Sequence, residues 1–145
     1  MRGLIQRVSY ARVLVAGTVV GEIDRGLLLL LGFEKGDSAA RIDKLLNKIL
    51  NYRVFADAVG HMNLGLSEIQ GDLLIVSQFT LAADTHKGLR PSFSSAMPPA
   101  EAEVLYNDFV SRARQRCARV ATGQFGADMQ VQLENDGPVT FLLEA

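Results

Sequence analysis

The chain has 145 residues, of which 48% are apolar, and its formal net charge is −1. This length suits one hydrophobic core, so we predict a single domain over residues 1–145. The near-neutral charge excludes the broad basic surface that indiscriminate nucleic-acid binding requires, although it leaves room for a local basic patch.

The cysteine content and the N-terminal segment predict a cytoplasmic protein. Cys117 is the single cysteine, so no disulfide can form within the chain, and this suits a reducing compartment. The N-terminal residues lack the long apolar stretch of a signal peptide. The longest apolar run, Leu27–Leu31, is too short to cross a membrane, so we expect no membrane association.

Strand patterns dominate the first third of the chain. Residues 4–9 alternate in part and residues 12–16 are rich in β-branched side chains, while Gly17 and Gly21 mark interruptions. Residues 26–33 form a short apolar run between glycines, which predicts a strand that is buried on both faces.

Two segments have the spacing of amphipathic helices. Apolar residues recur every three or four positions from Ile42 to Leu50, after the candidate N-caps Asp37 and Ser38, and this predicts a helix over residues 38–52. A second helix is predicted to begin near Pro99. Its apolar stripe comprises Ala102, Leu105, Phe109, Ala113 and Cys117.

The clearest strand pattern runs from Asp72 to Leu81, after a short predicted strand at residues 53–56 and a turn at residues 57–63. The polar segment from Ala83 to Pro99 is predicted to be a long loop, and loops of that length often carry function. Near the C-terminus, residues 129–133 alternate, and the Asn135–Pro138 segment predicts a turn that closes a hairpin with residues 139–143.

This element order predicts an α+β fold, a curved and mostly antiparallel β-barrel-like sheet with two packed helices. The apolar fraction is high for so small a chain. It therefore suggests an additional buried face, such as a subunit interface.

The sequence calls for neither a metal nor a cofactor. His61 and His86 are the only imidazoles, and no pair of residues has metal-ligand spacing. There is no glycine-rich phosphate loop and no serine nucleophile elbow. Cys117 lies on an apolar helix stripe, where cysteine usually serves as a small buried hydrophobe.

Two segments remain as candidates for chemistry, and each has an ordinary alternative. Ser77–Thr80 ends the strongest strand and could direct hydrogen-bond donors into a cleft. In the ordinary interpretation, its polar side chains face solvent and Phe79 fills the core. Gly137–Pro138 could be a cis peptide or a plain turn, and the sequence leaves the isomer open.

Taken in order and spacing, these segments resemble the bacterial-type D-aminoacyl-tRNA deacylase family over nearly the whole chain. The matching segments are IQRVSYARVLVAG near the N-terminus, GEI with GLLLLLGF, VSQFTL at 76–81, KGLRPSF at 87–93 and NDGPVTF at 135–141. The resemblance implies a hydrolase that acts on a carboxylic ester. It would release the D-amino acid from D-aminoacyl-tRNA as a proofreading step for translation.

The resemblance also assigns roles to residues of this chain. Gln78, Phe79 and Thr80 are expected to be catalytic. Backbone N–H groups around Gln78 and Phe79, with the Gln78 side-chain amide, would donate near the ester carbonyl. Thr80 would line the pocket and hold the substrate's amino end, with a nucleophilic hydroxyl as the less favoured alternative. The expected nucleophile is water, assisted by the substrate's ribose 2′-hydroxyl. Ser77, Arg7, Gly137 and Pro138 are expected at the substrate. The family is a homodimer with active sites at the subunit interface, so Gly137-cis-Pro138 would act on the partner's site and Arg7 would brace it.

Chirality and RNA contact follow from the same resemblance. A site that accepts D side chains of every size must reject L side chains by steric clash. Glycine has no side chain to clash, so glycyl-tRNA, including glycine mischarged on alanine tRNA, should also be cleaved. Lys87 and Arg90 are expected to meet phosphates of the acceptor end. The arginines at positions 112, 114, 116 and 119 are either a second contact or a solvated helix face.

Three alternative functions remain open. A sibling deacylase of the same fold could remove L-amino acids, with a trans Gly-Pro. The chain could be a non-catalytic nucleic-acid-binding dimer. It could also be a purely structural dimer in which Ser77–Thr80 only packs.

Overall fold

A curved six-stranded sheet forms the centre of the computed structural model, which describes residues 1–145. The strands are β1 (Arg2–Val15), β2 (Thr18–Ile23), β3 (Gly26–Gly32), β4 (Phe55–Ala56), β5 (Met62–Leu64), β6 (Asp72–Ser77), β7 (Val120–Thr122) and β8 (Gln130–Glu144). The sheet has the order β2-β1-β3-β6-β7, and β8 also pairs with β1. β4 and β5 form a separate small hairpin.

The sheet nearly closes into a barrel. β1 pairs antiparallel with β2, β3 and β8, whereas the β3–β6 and β6–β7 pairs are parallel. Its two ends approach so closely that a Cβ on Gly21 of β2 would lie 2.1 Å from the carbonyl oxygen of Thr122 on β7. The predicted class, a barrel-like α+β domain, is confirmed. The two parallel ladders were not predicted.

The apolar run of residues 26–33 behaves as its sequence predicts. β3 lies between β1 and β6, and both of its faces are covered. Leu27, Leu29 and Leu31 pack in the main core with the helices, while Leu28 packs in a smaller cluster inside the barrel wall. Because successive side chains of a strand point to opposite faces, a continuous apolar run suits a strand with two buried faces.

The helices cover the sheet and are three in number: α1 (Ile42–Asn51), α2 (Leu66–Ile69) and α3 (Pro99–Arg116). α1 follows a 3₁₀ turn at Ala39–Arg41, and the two together match the helix predicted over residues 38–52. Ser38 precedes that turn without a capping hydrogen bond. α3 begins at Pro99, as predicted, and α2 is a single turn. None of the helices has the length and apolarity that a membrane crossing requires.

The predicted C-terminal hairpin is wrong, because the chain does not reverse at Asn135–Pro138. β8 continues along β1 from Gln130 to Glu144, and residues 136–139 loop out of the ladder between the pairs Val8–Asn135 and Gln6–Thr140. The Asn135 side chain closes this bulge locally. Its Oδ1 accepts from the Val139 amide at 2.8 Å, and its Nδ2 donates to the Val139 carbonyl at 3.2 Å. Strand pairing can therefore resume in the same direction.

Candidate active site

The strand β6 ends at Ser77, four residues earlier than the pattern from Asp72 to Leu81 predicts, and a 3₁₀ turn follows at Phe79–Ala82. We call this segment the 79–82 turn. The Gln78 amide continues the ladder by donating to the Leu31 carbonyl at 2.8 Å. The turn then folds back over Gly32, whose missing side chain permits the contact, since a Cβ there would lie 2.8 Å from the Gln78 carbonyl oxygen.

The start of the 79–82 turn carries two backbone donors without an acceptor inside the turn. Leu81 donates to Gln78 and Ala83 donates to Thr80 along the turn, which leaves the amides of Phe79 and Thr80, its first two residues, without an acceptor inside the turn. The first N–H groups of a helical turn are unpaired by geometry. An electron-rich oxygen placed before this turn can accept from both of them.

The side chains of the Ser77–Thr80 segment flank these donors. Gln78 Nε2 donates to Thr80 Oγ1 at 2.5 Å, so the Gln78 amide group and the Thr80 hydroxyl are held together. Ser77 and Gln78 are half-buried, whereas Phe79 and Thr80 are exposed. The interpretation in which Phe79 fills the core is wrong, because its side chain is 62% exposed and contacts the Phe93 ring at a centroid distance of 5.1 Å.

A cavity of about 250 Å³ opens beside this segment. Its lining residues are Val76, Ser77, Gln78, Phe79, Gly126, Ala127, Met129 and Val131. One wall is therefore the end of β6 with the start of the 79–82 turn, and the other is the loop that leads from β7 into β8 with the first residues of β8. Since most of this lining is apolar, the cavity suits an organic group with few charges.

The second wall is fastened to the helix layer by Tyr106 of α3. Its hydroxyl donates to the Ile75 carbonyl at 2.9 Å, which also accepts from the Gly123 amide at 3.1 Å. Its ring contacts Phe125 at a centroid distance of 5.5 Å. Burial raises the pKa of the Tyr106 phenol to about 12 against an opposing effect of Arg114, so the hydroxyl stays a donor at neutral pH.

A family model described as D-Tyr-tRNA(Tyr) deacylase matches residues 4–144 of the chain. The chain belongs to this deacylase family. A D-aminoacyl-tRNA deacylase of Stutzerimonas stutzeri is 65% identical over 100% of both chains. One of Pseudomonas fluorescens is 63% identical over 99% of both chains. The expected family is confirmed, and with it the class of enzyme, a hydrolase of aminoacyl-tRNA esters.

The fold of this deacylase family member also matches a solved structure. The c-Myc DNA Unwinding Element Binding Protein is 41% identical, with a TM-score of 0.96 over 100% of this chain and 99% of that chain. The strand path and the site turn described above therefore belong to a known architecture.

Within one deacylase chain, Gly137 and Pro138 do not join the Ser77–Thr80 cavity. Both residues are exposed on the bulge of β8, and their peptide bond is cis. Arg7 connects the bulge to the rest of the chain. Its Nε donates to the Asp136 carbonyl at 2.7 Å, and its Nη1 donates to the Val54 carbonyl at 2.5 Å. Arg7 thus contacts the residue before Gly137, while the cavity lining contains neither member of the pair.

The basic residues fall into two groups. Lys87 and Arg90 are exposed in the loop between Asp84 and Ser92, whose ends are joined by two backbone hydrogen bonds of 2.8 and 3.1 Å. Of the arginines at positions 112, 114, 116 and 119, three are engaged within the chain, and Arg119 lies beyond the end of α3. Arg112 pairs with Asp108 and Asp43, Arg116 donates to Asn47, and Arg119 pairs with Asp24 and Asp72. These contacts favour a structural role for the run.

Sequence reasoning missed three contributors to the site. Gly32 was read only as the end of a strand, Tyr106 was not singled out, and the 123–131 segment was not placed at the cavity. A glycine directly after a buried strand is a signal for close backbone approach. No local pattern marks Tyr106, because its partners lie on β6 and after β7.

Proposed function

We propose that this chain hydrolyses D-aminoacyl-tRNA, releasing the free D-amino acid and tRNA. The observation that carries the proposal is the start of the 79–82 turn, where the Phe79 and Thr80 amides have no acceptor inside the turn and Phe79 lines a largely apolar cavity. Full-length identity to proteins named D-aminoacyl-tRNA deacylase supplies the substrate class. We place the enzyme in the cytoplasm, where charged tRNA is used.

The reaction needs little more than positioned donors, because the aminoacyl ester is already activated. Water adds to the carbonyl carbon, and the carbonyl oxygen gains negative charge in the tetrahedral intermediate. The Phe79 and Thr80 amides stabilise that oxygen, since preorganised donors aimed at developing charge lower the barrier. The bond to the ribose oxygen then breaks, and the tRNA leaves with a free hydroxyl after receiving a proton. The ribose 2′-hydroxyl assists the attacking water.

This arrangement removes the Gln78 backbone amide from the expected donors and agrees with the pocket role expected for Thr80. The Gln78 backbone amide is occupied by the Leu31 carbonyl, so its contribution is limited to the side chain. Gln78 Nε2 keeps a second N–H beyond the one that it donates to Thr80. Thr80 accepts that hydrogen bond and has no adjacent base, so we assign it to the pocket and not to nucleophilic attack. Ser77 lines the cavity beside them.

Chiral selection requires a second subunit in this proposal. The exposed Gly137–Pro138 bulge of one chain enters the site of its partner and occupies the space that an L side chain needs. A D side chain points away, and glycine has nothing to exclude. Glycyl-tRNA, including glycine mischarged on alanine tRNA, is therefore a further substrate. Arg7 keeps the bulge in place through the Asp136 carbonyl.

An unpaired sheet edge supports the homodimer. β8 pairs with β1 on one side only, so one edge of a 15-residue strand keeps its backbone groups free. Phe141 and Leu142 of the same strand are 37% and 52% exposed. Long exposed edges with apolar side chains are usually covered in native proteins. A second copy that covers β8 would also bring the neighbouring Gly137–Pro138 bulge to another chain.

The acceptor end of tRNA is the proposed RNA contact. Lys87 and Arg90 lie in a loop that begins directly after the 79–82 turn, so an ester bound at that turn brings its phosphates toward them. Two such contacts give a shallow salt dependence, since each phosphate contact contributes about one unit to the slope of log affinity against log salt. The near-neutral charge of the chain agrees with a small contact of this kind.

Ester loss from D-tyrosyl-, L-tyrosyl- and glycyl-tRNA, measured against buffer, tests the proposal. We expect rapid loss of the D and glycyl esters while the L ester is spared. Loss of the L ester as well would keep the hydrolase but overturn the steric role of Gly137–Pro138. Survival of all three esters would overturn the activity. Chains whose own site is disabled by a change at Gly32 can be mixed with chains whose bulge is altered at Gly137. If the bulge acts on the partner's site, the mixed dimer combines one intact site with one intact bulge, and part of the selective activity should return.

Nucleic-acid binding without catalysis is the second candidate. It rests on the likeness to the c-Myc DNA Unwinding Element Binding Protein, whose name describes a DNA-binding function of that protein. Steeply salt-dependent binding to duplex DNA, with no ester hydrolysis, would favour it. The net charge of −1 opposes it.

A further inference from the structure

The end of the 79–82 turn that lies away from the unpaired amides is held by two side chains. Arg2 Nη1 donates to the Leu81 carbonyl at 3.1 Å, and Ser95 Oγ donates to the Ala82 carbonyl at 2.6 Å. The last carbonyls of a helical turn have no partner inside the turn. Arg2 and Ser95 therefore satisfy groups that would otherwise be free to change direction.

Both side chains are themselves fixed by the sheet. Arg2 lies at the start of β1, and its Nη2 is 2.9 Å from Glu34 Oε1, just beyond β3. The segment that carries Ser95 pairs with the same region: the Lys35 amide donates to the Ser95 carbonyl at 2.9 Å, and Glu34 forms a bridge with Ala96. Arg2 and Ser95 thus connect the turn to the rigid end of β3 from two directions.

We propose that Arg2 and Ser95 are positioning residues that set the direction of the Phe79 and Thr80 amides by holding the opposite end of the 79–82 turn. This inference rests on the proposed function for its catalytic consequence. The turn is so short that a rotation at its carbonyl end also rotates its amide end. Neither side chain lines the cavity at Ser77–Phe79, so both act through the turn and touch no substrate.

A separate polar cavity of about 440 Å³ lies at this carbonyl end, and its lining includes Arg2, Glu34, Asp84, His86 and Ser95. If the Arg2 side chain is shortened, the Glu34 carboxylate and the Leu81 carbonyl remain as acceptors beside this open space. Free guanidinium can enter it and bond both groups, because the planar cation donates in two directions at once. The space thus offers a chemical test of whether Arg2 and Ser95 hold the turn, an arrangement that we call the clamp.

The test compares Arg2→Ala, Arg2→Lys and Ser95→Ala with two matched controls, Glu144→Gln and Ser94→Ala. Glu144 approaches Arg2 Nε at 3.3 Å but has no contact with the turn, and Ser94 is the exposed neighbour of Ser95. The readouts are kcat and KM for D-tyrosyl-tRNA, and hydrogen exchange at the Leu81 and Ala83 amides, whose acceptors lie within Gln78–Thr80.

We expect kcat to fall about ten- to a hundredfold in Arg2→Ala, because a displacement of about 1 Å at a reacting centre costs about a hundredfold. KM should change less. Exchange at Leu81 and Ala83 should quicken, and Ser95→Ala should show the same signature. Guanidinium at concentrations too low to denature the protein should restore kcat in Arg2→Ala, whereas sodium chloride at the same concentration should not. Arg2→Lys should stay impaired, because one ammonium cannot reproduce the two-sided contact. Both controls should behave as the unaltered chain.

The outcomes separate the two proposals. If the unaltered chain is inactive, the proposed function fails, and the exchange readout alone decides the clamp. If the unaltered chain is active while Arg2→Ala and Ser95→Ala keep its kcat and its slow exchange, the clamp is overturned. A third outcome would also overturn the positioning role of Arg2. In that outcome Arg2→Ala loses kcat and unfolds at a lower urea concentration, while hydrogen exchange at the turn is unchanged and guanidinium restores no activity.

Discussion

Replacement of Gly32 by alanine should disable the site while leaving the fold in place. The new Cβ would lie 2.8 Å from the Gln78 carbonyl oxygen and 3.0 Å from the Leu81 Cβ. Both atoms belong to the segment that forms the 79–82 turn. The strand β3 beneath is buried between two neighbours. The turn is therefore the part that must move.

The size of the movement follows from the contact. The Gln78 oxygen must retreat by about 0.6 Å, from 2.8 Å to the 3.4 Å of an ordinary van der Waals contact. That oxygen also accepts from the Leu81 amide, so the turn moves with it. Since a misplacement of about 1 Å can cost a hundredfold, we expect kcat to fall between about tenfold and a hundredfold. Overpacking should lower the free energy of unfolding by about 1–3 kcal/mol.

A second glycine supplies the control. Gly60 lies in the β4–β5 connection with φ +86° and has no atom within 4 Å of an added Cβ. An alanine there costs about 1–2 kcal/mol through its left-handed backbone but leaves the turn untouched. Steady-state deacylation and urea unfolding of both variants give the comparison. A folded Gly32→Ala chain with the unaltered kcat would refute the claim that the turn's placement controls catalysis.

Four further outcomes follow from the structure. Thr80→Val removes the acceptor of Gln78 Nε2 but, in our assignment, no nucleophile. Single-turnover assays should therefore show residual hydrolysis above buffer. Complete loss of hydrolysis would show that the hydroxyl takes part in the chemical step. Gly137→Ala places a Cβ 2.5 Å from the Val139 nitrogen, so the bulge should shift and the ratio of D- to L-ester cleavage should fall; an unchanged ratio would remove the bulge from chiral selection. Burial raises the pKa of Tyr106 to about 12, so the folded chain holds the phenol proton more tightly than the unfolded chain does. The free energy of unfolding should therefore drop by roughly 2–3 kcal/mol as the pH rises from about 10 to about 12. Tyr106→Phe should lack this part of the decline. Burial also raises the pKa of the Cys117 thiol, so iodoacetamide should modify it more slowly at neutral pH than it modifies free cysteine; equal rates would contradict the burial.

Periodicity predicted the elements whose environment is uniform along their length. α1 keeps one apolar face against the sheet, and β3 is covered on both sides, so spacing alone reports their burial. Prediction failed where a distant partner decides the backbone path. β8 passes through Asn135–Pro138 because the Asn135 side chain bonds Val139 and because β1 offers acceptors on both sides of the bulge. The turn residues are present, but the long partner strand prevents reversal.

The site shows the same division. The position of Ser77–Thr80 at the end of a strong strand marked the segment as a candidate, but an ordinary packing role was equally compatible with the pattern until the family resemblance favoured the site. Which amide is free could not be read from the sequence, because the Gln78 amide is taken by Leu31 of a neighbouring parallel strand. The exposure of Phe79 was missed for a related reason. The backbone turns over Gly32 just before it, and this directs an aromatic ring away from the core.

Handedness gives an independent physical reason to propose a second chain at the site. In the proposed mechanism the Phe79 and Thr80 amides donate to the ester carbonyl, which is the same in D and L substrates, so these donors alone have no chiral preference. Discrimination needs a further surface near the α-carbon that only one enantiomer can avoid. The described cavity is lined by residues at the end of β6, in the loop before β8 and at the start of β8, and its lining contains neither Gly137 nor Pro138. That pair instead projects into solvent beside an unpaired strand edge. In the proposed homodimer, a bulge from another copy supplies that surface, so a monomeric variant that still folds should lose discrimination before it loses its amide donors.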